Sequence, residues 1–325
     1  MSWIDDYQTR RKFKKLQMKR RKHLNRGVKI LLLVTVFMCA YAIWWNVWSD
    51  LGDDAVQTLV GINDNPKMTG YCYHYSQLSD SQKKIYQTLY EGSWVFESRI
   101  KLPVSTKADC RRAWAAFRCD HPECFWLTDP KLWGTGNDIK KISFSIPKNA
   151  KEQQKAVEAV ADAMLKDIPD DPYEKVKYIY KSIIMSTEYQ KGTEHEQDIR
   201  SVLLSHKSVC GGYSKTFLYL CDRAGVPCGY IEGDIVGRDL HAWNFVKPED
   251  QYYWVDVTWG DPSYEYFNPT TLVAADAISY DYLCVNDEFL LKDRILSNDP
   301  ACSIYNKNSV FQYPSVKNPA PYAGR

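Results

Sequence analysis

The chain has 325 residues, 45% of them hydrophobic and 25% charged, which is the balance of a globular protein with one or two domains. Its net charge of +2 hides an asymmetry: residues 1–29 hold 11 Lys and Arg against two Asp, while residues 30–325 hold 31 against 38 Asp and Glu. The main body is therefore acidic and has no basic patch, which argues against a nucleic-acid partner.

Residues 30–49 carry no charge and open on Ile-Leu-Leu-Leu-Val-Thr-Val-Phe-Met. A helix of that length spans the hydrocarbon core of a bilayer. Trp44, Trp45 and Trp48 at its far end suit an interfacial aromatic belt. With the basic run before it, the segment reads as a transmembrane signal-anchor helix that leaves residues 1–29 as a basic cytoplasmic tail and sends the rest of the chain outside. A signal peptide cleaved near Ala40-Tyr41-Ala42, with secretion of the remainder, is the alternative.

Residues 50–140 read as a polar stalk followed by a helical N-terminal region, with helical patterns at 81–90 and 107–119. Cys110, Cys119, His121 and Cys124 lie here, but their spacing matches no strong zinc pattern, so no metal site is assigned. A core domain over residues 141–312 follows. It opens with a short strand at 142–146 and an amphipathic helix at 152–168. Asp171 then Pro172 start a further helix at 172–185, an acidic N-cap with proline in the first turn. His195 and His206, in the polar approach to residue 208, read as surface histidines. Residues 313–325 form a flexible polar tail.

The chain is organised around Ser208-Val209-Cys210-Gly211-Gly212-Tyr213-Ser214. Tyr213, Phe217, Leu220 and Ala224 recur on one helical face, and Gly225 before Pro227 ends the helix. Cys210 therefore sits at the first turn, where unpaired N–H groups and the helix dipole stabilise a thiolate. Gly211 and Gly212 leave room for a close approach. Two strands follow: Leu240-His241-Ala242-Trp243-Asn244-Phe245-Val246, then Tyr252-Tyr253-Trp254-Val255-Asp256-Val257-Thr258-Trp259, joined by a hairpin connection. Paired antiparallel, they bring His241 beside Asp256. A thiol nucleophile needs a base to move its proton, and the base needs a third group to fix its tautomer. Cys210, His241 and Asp256 supply these roles.

The order of C-G-G-Y-S, H-A-W-N and W-V-D-V-T-W resembles the transglutaminase-like core of the papain-like cysteine enzymes, over roughly residues 172–262. The resemblance implies an α+β fold in which a helix carrying the cysteine packs on an antiparallel sheet carrying the histidine and aspartate. It implies Cys210 as nucleophile, His241 as general base and acid, and Asp256 as orienting carboxylate. It also places an oxyanion-stabilising residue upstream, for which Tyr189 and Gln190 are candidates, with the Cys210 or Gly211 N–H as a second donor. Trp243 and Trp259 are read as pocket wall. Asp120-His121-Pro122-Glu123-Cys124-Phe125-Trp126 is similar to a stretch that accompanies some bacterial members.

The expected substrate is a protein or peptide amide, with a thioester intermediate on Cys210. An amine acceptor makes the chain a transglutaminase-like acyltransferase, and water makes it a peptidase or amidase. A catalytically inactive envelope scaffold is the reading from another class. No cofactor is required, and no compact acidic calcium loop is present. Apart from Cys39 in the apolar segment and Cys210, eight cysteines remain, an even number that suggests disulfides outside the cytoplasm. Cys221 and Cys228, which bracket the end of the Cys210 helix, are the first candidates for a pair.

Overall fold

In the computed structural model, the described residues are 70–238, 240–264, 277–306 and 310–317, together with Met38. The expected leader, anchor and stalk up to residue 69, Met38 apart, and the tail beyond 317 fall outside them. Among the described residues no helix is long and apolar enough to cross a membrane. Residues 1–65 and 66–325 separate as two units, and the second is described below.

The first α-helix of the described unit is α1 (Asp80–Trp94), which opens on a complete capping box: Ser79 accepts from the Gln82 N–H and the Gln82 side chain accepts from the Ser79 N–H. Strand β1 (Arg99–Thr106) leads into α2 (Lys107–Asp120), capped by Thr106. The hairpin of β2 (Thr128–Thr135) and β3 (Asp138–Ser145) completes an antiparallel sheet of order β1-β3-β2. Of this sheet only the strand near residue 142 is foreseen from the sequence.

Next come α3 (Ala150–Leu165) and α4 (Pro172–Ser186). The Asp171 carboxylate accepts from the Tyr173 and Glu174 N–H groups, the N-cap expected there. A short parallel pair, β4 (Glu188–Tyr189) and β5 (Lys207–Ser208), brackets α5 (Ile199–Leu203). It delivers the chain directly into α6 (Cys210–Arg223). Then follow β6 (Cys228–Ile235), β7 (Leu240–Val246), β8 (Tyr253–Val255), α7 (Val257–Gly260), α8 (Asp287–Leu290) and β9 (Arg294–Leu296). The second sheet is antiparallel throughout, in the order β8-β7-β6-β9.

Helix α6 is tied to this sheet by polar as well as apolar contacts. Ser214 Oγ donates to the Ala242 carbonyl at 2.8 Å, and Asn244 Nδ2 donates to the carbonyls of Ser214 and Gly229 at 3.0 and 3.2 Å. Its buried face, Tyr213, Phe217 and Leu220, packs with Val176, Ile179 and Ile183 of α4 in the main core. A second core, centred on Ile231, Trp243, Phe245 and Trp254, draws on β6, β7 and β8. Fully burying such side chains contributes about 1.5–3 kcal/mol each. This is the α+β arrangement of a cysteine-bearing helix on an antiparallel sheet.

Two expectations need correction. The second strand stops at Val255, because Asp256 turns its side chain onto the Trp259 N–H and caps α7 instead of continuing the ladder. The described cysteines are free thiols, so no disulfide is seen among them. Cys221 and Cys228 do lie near each other as thiols, and Cys228 Sγ donates to the Gly229 carbonyl at 3.9 Å. Burial, then that neighbour, pushes the Cys221 thiol well up and favours its neutral form.

Candidate active site

Cys210 is the first residue of α6 and is half-buried. The N-cap residue, Val209, offers no side-chain cap, so the first-turn N–H groups are left for a partner in the site. The glycines behind the cysteine are there for space. A Cβ on Gly212 would run into Ser208 Oγ, Ser201 Oγ and the Glu196 carbonyl, and one on Gly211 would meet the Gln197 amide. Ser201 and Ser208 are hydrogen-bonded at 2.6 Å, and together with Glu196 they form the floor on which the first turn of α6 sits.

His241 and Asp256 come from neighbouring strands. The β7–β8 register pairs Asn244 with Val255, so His241 lies diagonal to Asp256 and the ring spans the gap. His241 Nε2 is 2.8 Å from Asp256 Oδ2, and both side chains are buried. With Nε2 committed to the carboxylate, Nδ1 is left for the Cys210 thiol, which is near enough to help raise the ring. Burial alone would disfavour an imidazolium here. The Asp256 charge, the hydrogen bond to it and the Cys210 thiol outweigh burial and hold His241 up at about 9.

Asp256 is wholly buried, which by itself would favour the neutral acid. His241 and then Arg294 reverse that and hold its carboxyl below the usual range. Arg294 Nη2 sits 2.6 Å from Asp256 Oδ2, the oxygen that His241 also uses. Oδ1 accepts from the Trp259 N–H at 3.2 Å. The guanidinium is buried, 4.5 Å from the Trp259 ring centre and 5.2 Å from that of Tyr282.

The other residues singled out from the sequence fall in different places. Tyr189 lies beside Ser208 in the β4–β5 pair, and the Gln190 N–H donates to the Ser208 carbonyl at 2.9 Å. Both stand one strand away from the approach to Cys210. Trp259 lines the site, with its ring 6.3 Å from that of His241. Trp243 is fully buried and stacks behind His241 at 6.0 Å, so it supports the ring as part of the core. His195 lies near Glu194 and Asp198, and His206 is exposed; the triad contacts draw on neither.

Two residues of the site were missed. Gln197 lies against Gly211, next to the cysteine, but sits in a polar loop with no pattern to mark it. Arg294 lies 38 residues beyond Asp256 in a short edge strand. The only hint in the sequence is that a charged residue sits where the strand should be apolar.

A second Cys–His–carboxylate line occurs in the N-terminal region. Cys72 Sγ is 4.0 Å from His121 Nε2, and His121 Nδ1 is 2.7 Å from Glu123 Oε1. Cys72 precedes a helical turn rather than opening a long helix, so it lacks the first-turn donors that serve Cys210. Burial opposes charge on His121, but Glu123 and then Cys72 outweigh it and hold the ring up at about 10.

Comparison with known proteins places this geometry in a family context. Residues 145–259, which contain Cys210, His241 and Asp256, match the transglutaminase-like superfamily model. The human Kyphoscoliosis peptidase is 30% identical over 118 residues, covering 30% of this chain and 18% of that protein. The chain thus spans less than a fifth of the length of this curated relative. Among solved structures, one described as a TGase is 15% identical, covers 41% of this chain and 44% of its own, and superposes with a TM-score of 0.29. A putative cysteine protease from Cytophaga hutchinsonii is also 15% identical, over 38% of this chain and 55% of its own, with a TM-score of 0.28. The likeness to the transglutaminase-like superfamily is thus carried by residues 145–259, the stretch that holds Cys210, His241 and Asp256.

Proposed function

We propose that the chain is a cysteine enzyme that breaks an amide bond of a protein or peptide and passes the acyl group to an amine. The observation that carries this reading is the His241 ring held between the Cys210 thiol and Asp256 Oδ2. The Cys210 thiolate attacks the amide carbonyl, and the first-turn N–H groups of α6 take the charge that develops on oxygen. Gln197, which lies against Gly211, is our first candidate for a side-chain donor, ahead of Tyr189 and Gln190, which stand one strand further away. His241 protonates the departing nitrogen, leaving a thioester on Cys210. It then accepts a proton from the incoming amine.

Hydrolysis is the second reading, favoured by the name of the curated relative, a peptidase. The same triad serves both reactions, and the outcome turns on how well the site excludes water and seats the amine. We place the domain outside the cytoplasm, anchored through residues 30–49, on the charge asymmetry about that segment.

The test incubates the full chain in detergent or vesicles with a glutamine-rich protein and a fluorescent primary amine. Amine incorporation that vanishes in Cys210→Ala supports transfer. Peptide cleavage or ammonia release without incorporation supports hydrolysis. Neither, with a Cys210 that resists alkylation, overturns the enzyme reading in favour of a binding scaffold. Cleavage by protease added outside intact cells, yielding the fragment beyond residue 49, tests the placement.

A further inference from the structure

We propose that Arg294 is a positioning residue of the triad, which keeps Asp256 ionised and aimed throughout the reaction and limits how tightly His241 holds its proton. This rests on the reading of Cys210 and His241 as nucleophile and base. His241 gains and loses a proton in each half-reaction. Whenever the ring is neutral, a carboxylate buried as completely as Asp256 loses one of its two cations, and without Arg294 it would tend to take up a proton itself. A protonated Asp256 would no longer hold the ring in the correct tautomer. A guanidinium does not deprotonate under these conditions, so it supplies a charge that does not change during the cycle.

The geometry fits that task. Arg294 Nη2 and His241 Nε2 meet the same oxygen, Asp256 Oδ2, at 2.6 and 2.8 Å. That leaves Oδ1 to the Trp259 N–H, so the carboxylate is fixed from three directions. The guanidinium is held in turn: Nη1 donates to Asp293 Oδ1 at 2.6 Å, and its faces meet Trp259 and Tyr282. Its backbone is anchored where β9 pairs with β6, opposite Ile235. Arg294 also competes with His241. Two cations on one oxygen repel each other, so the arginine weakens the hold of Asp256 on the imidazolium and makes the proton easier to give to a leaving group. Other charged and titratable groups near the guanidinium are Asp293, Tyr282 and Arg238, the last of which lies 5.2 Å from the Trp259 ring centre. Arg294 lies outside residues 145–259, so the segment beyond the family-matched domain contributes to the site.

The experiment measures the rate of iodoacetamide labelling of Cys210 against pH in the full chain, by mass spectrometry of the peptide. In the wild type a step centred near the His241 value, about 9, marks loss of the imidazolium. Arg294→Gln keeps a hydrogen-bond donor but removes the charge, and the step should move up by about one pH unit. Arg294→Lys keeps the charge, and its step should stay within a few tenths of the wild type. A packing role alone would leave the step in place in Arg294→Gln and lower stability in both variants. An unmoved step in Arg294→Gln, or one displaced as far in Arg294→Lys, overturns the proposal. If Arg294→Gln exposes the buried Cys110 and Cys124 to label, it has unfolded and Arg294→Lys decides. A wild type with no step and a slow Cys210 defeats the underlying enzyme reading instead, a different result from a wild-type step that Arg294→Gln fails to move.

Discussion

At the scale of single residues, the behaviour of the site depends on how the His241 charge is maintained. Burial and the Asp256 carboxylate act in opposite directions, and the carboxylate prevails. The sign follows directly. His241 stays protonated from below its ordinary value up to about 9, so it can act as a general acid at neutral pH and loses that capacity as the pH rises through about 9. Asp256→Asn removes the charge but leaves a group of the same shape. Burial and the Arg294 charge then meet only the weaker support of the Cys210 thiol, and the ring becomes neutral at pH 7. Labelling of Cys210 at pH 7 should fall by roughly tenfold or more, because the imidazolium partner of the thiolate is gone. A variant that labels as fast as the wild type would show that the carboxylate does not control the ring. The second, external readout is the alkaline limb of turnover on any active substrate, which should fall near pH 9 in the wild type.

At the scale of elements, the helix that carries Cys210 was legible because burial imposes the 3.6-residue period on Tyr213, Phe217 and Leu220. Strand β7 was legible from its alternating run of aromatic and apolar residues. The next strand was read too long, since Val257-Thr258-Trp259 has strand composition. There a local side-chain bond decided against propensity: Asp256 accepts the Trp259 N–H and ends the ladder. Strands β1 and β2 left almost no trace. β1 contains Pro103, has a register shift between Lys101 and Ser105, and buries little, while β2 is exposed along nearly its whole length. An edge strand with proline and lysines carries no alternation to read. Of the site, the sequence marked the residues that sit in local motifs and not Arg294, whose role comes only from tertiary packing. Helix α6 also makes a prediction of its own. Its first turn touches Glu196, Ser201 and Ser208 with no room for a methyl group. Gly212→Ala should lower stability by about 1–3 kcal/mol through overpacking, seen as a lower Tm, and should displace Cys210. An unchanged Tm would mean that the floor beneath the helix yields.

At the scale of the whole molecule, residues 66–325 are one unit, and its N-terminal region is joined to later segments by specific bonds. Arg118 meets Glu232 of β6 at 3.3 Å, Arg112 Nη1 donates to the Val310 carbonyl at 2.7 Å, and the hydroxyls of Tyr71 and Tyr252 lie 2.8 Å apart. Two buried imidazoles, His121 in the N-terminal region and His241 in the site, are held up at about 10 and about 9. If the unit unfolds in one transition, both contribute to the same free energy. In the unfolded chain each ring releases its proton near 6.5, whereas the folded protein keeps both. Stability from these rings is therefore complete below about 6.5 and is lost as pH rises, through about 9 for His241 and about 10 for His121. Each contributes a slope of about 1.4 kcal/mol per pH unit in between. They dominate from about pH 7 to 7.5, where unfolded cysteines and tyrosines still hold nearly all their protons, whereas nearer pH 8 the buried cysteines held up in the folded chain add to the same loss. Denaturant unfolding across that narrower window should show a stability slope approaching two protons. Glu123→Gln removes the carboxylate that keeps His121 charged, so it should reduce the loss to one proton while leaving the His241 step in Cys210 labelling where it was. A slope that Glu123→Gln leaves at two protons would show that His121 is not the ring responsible. Two separate transitions, only one of them changed by Glu123→Gln, would show that the N-terminal helices and the second sheet unfold independently.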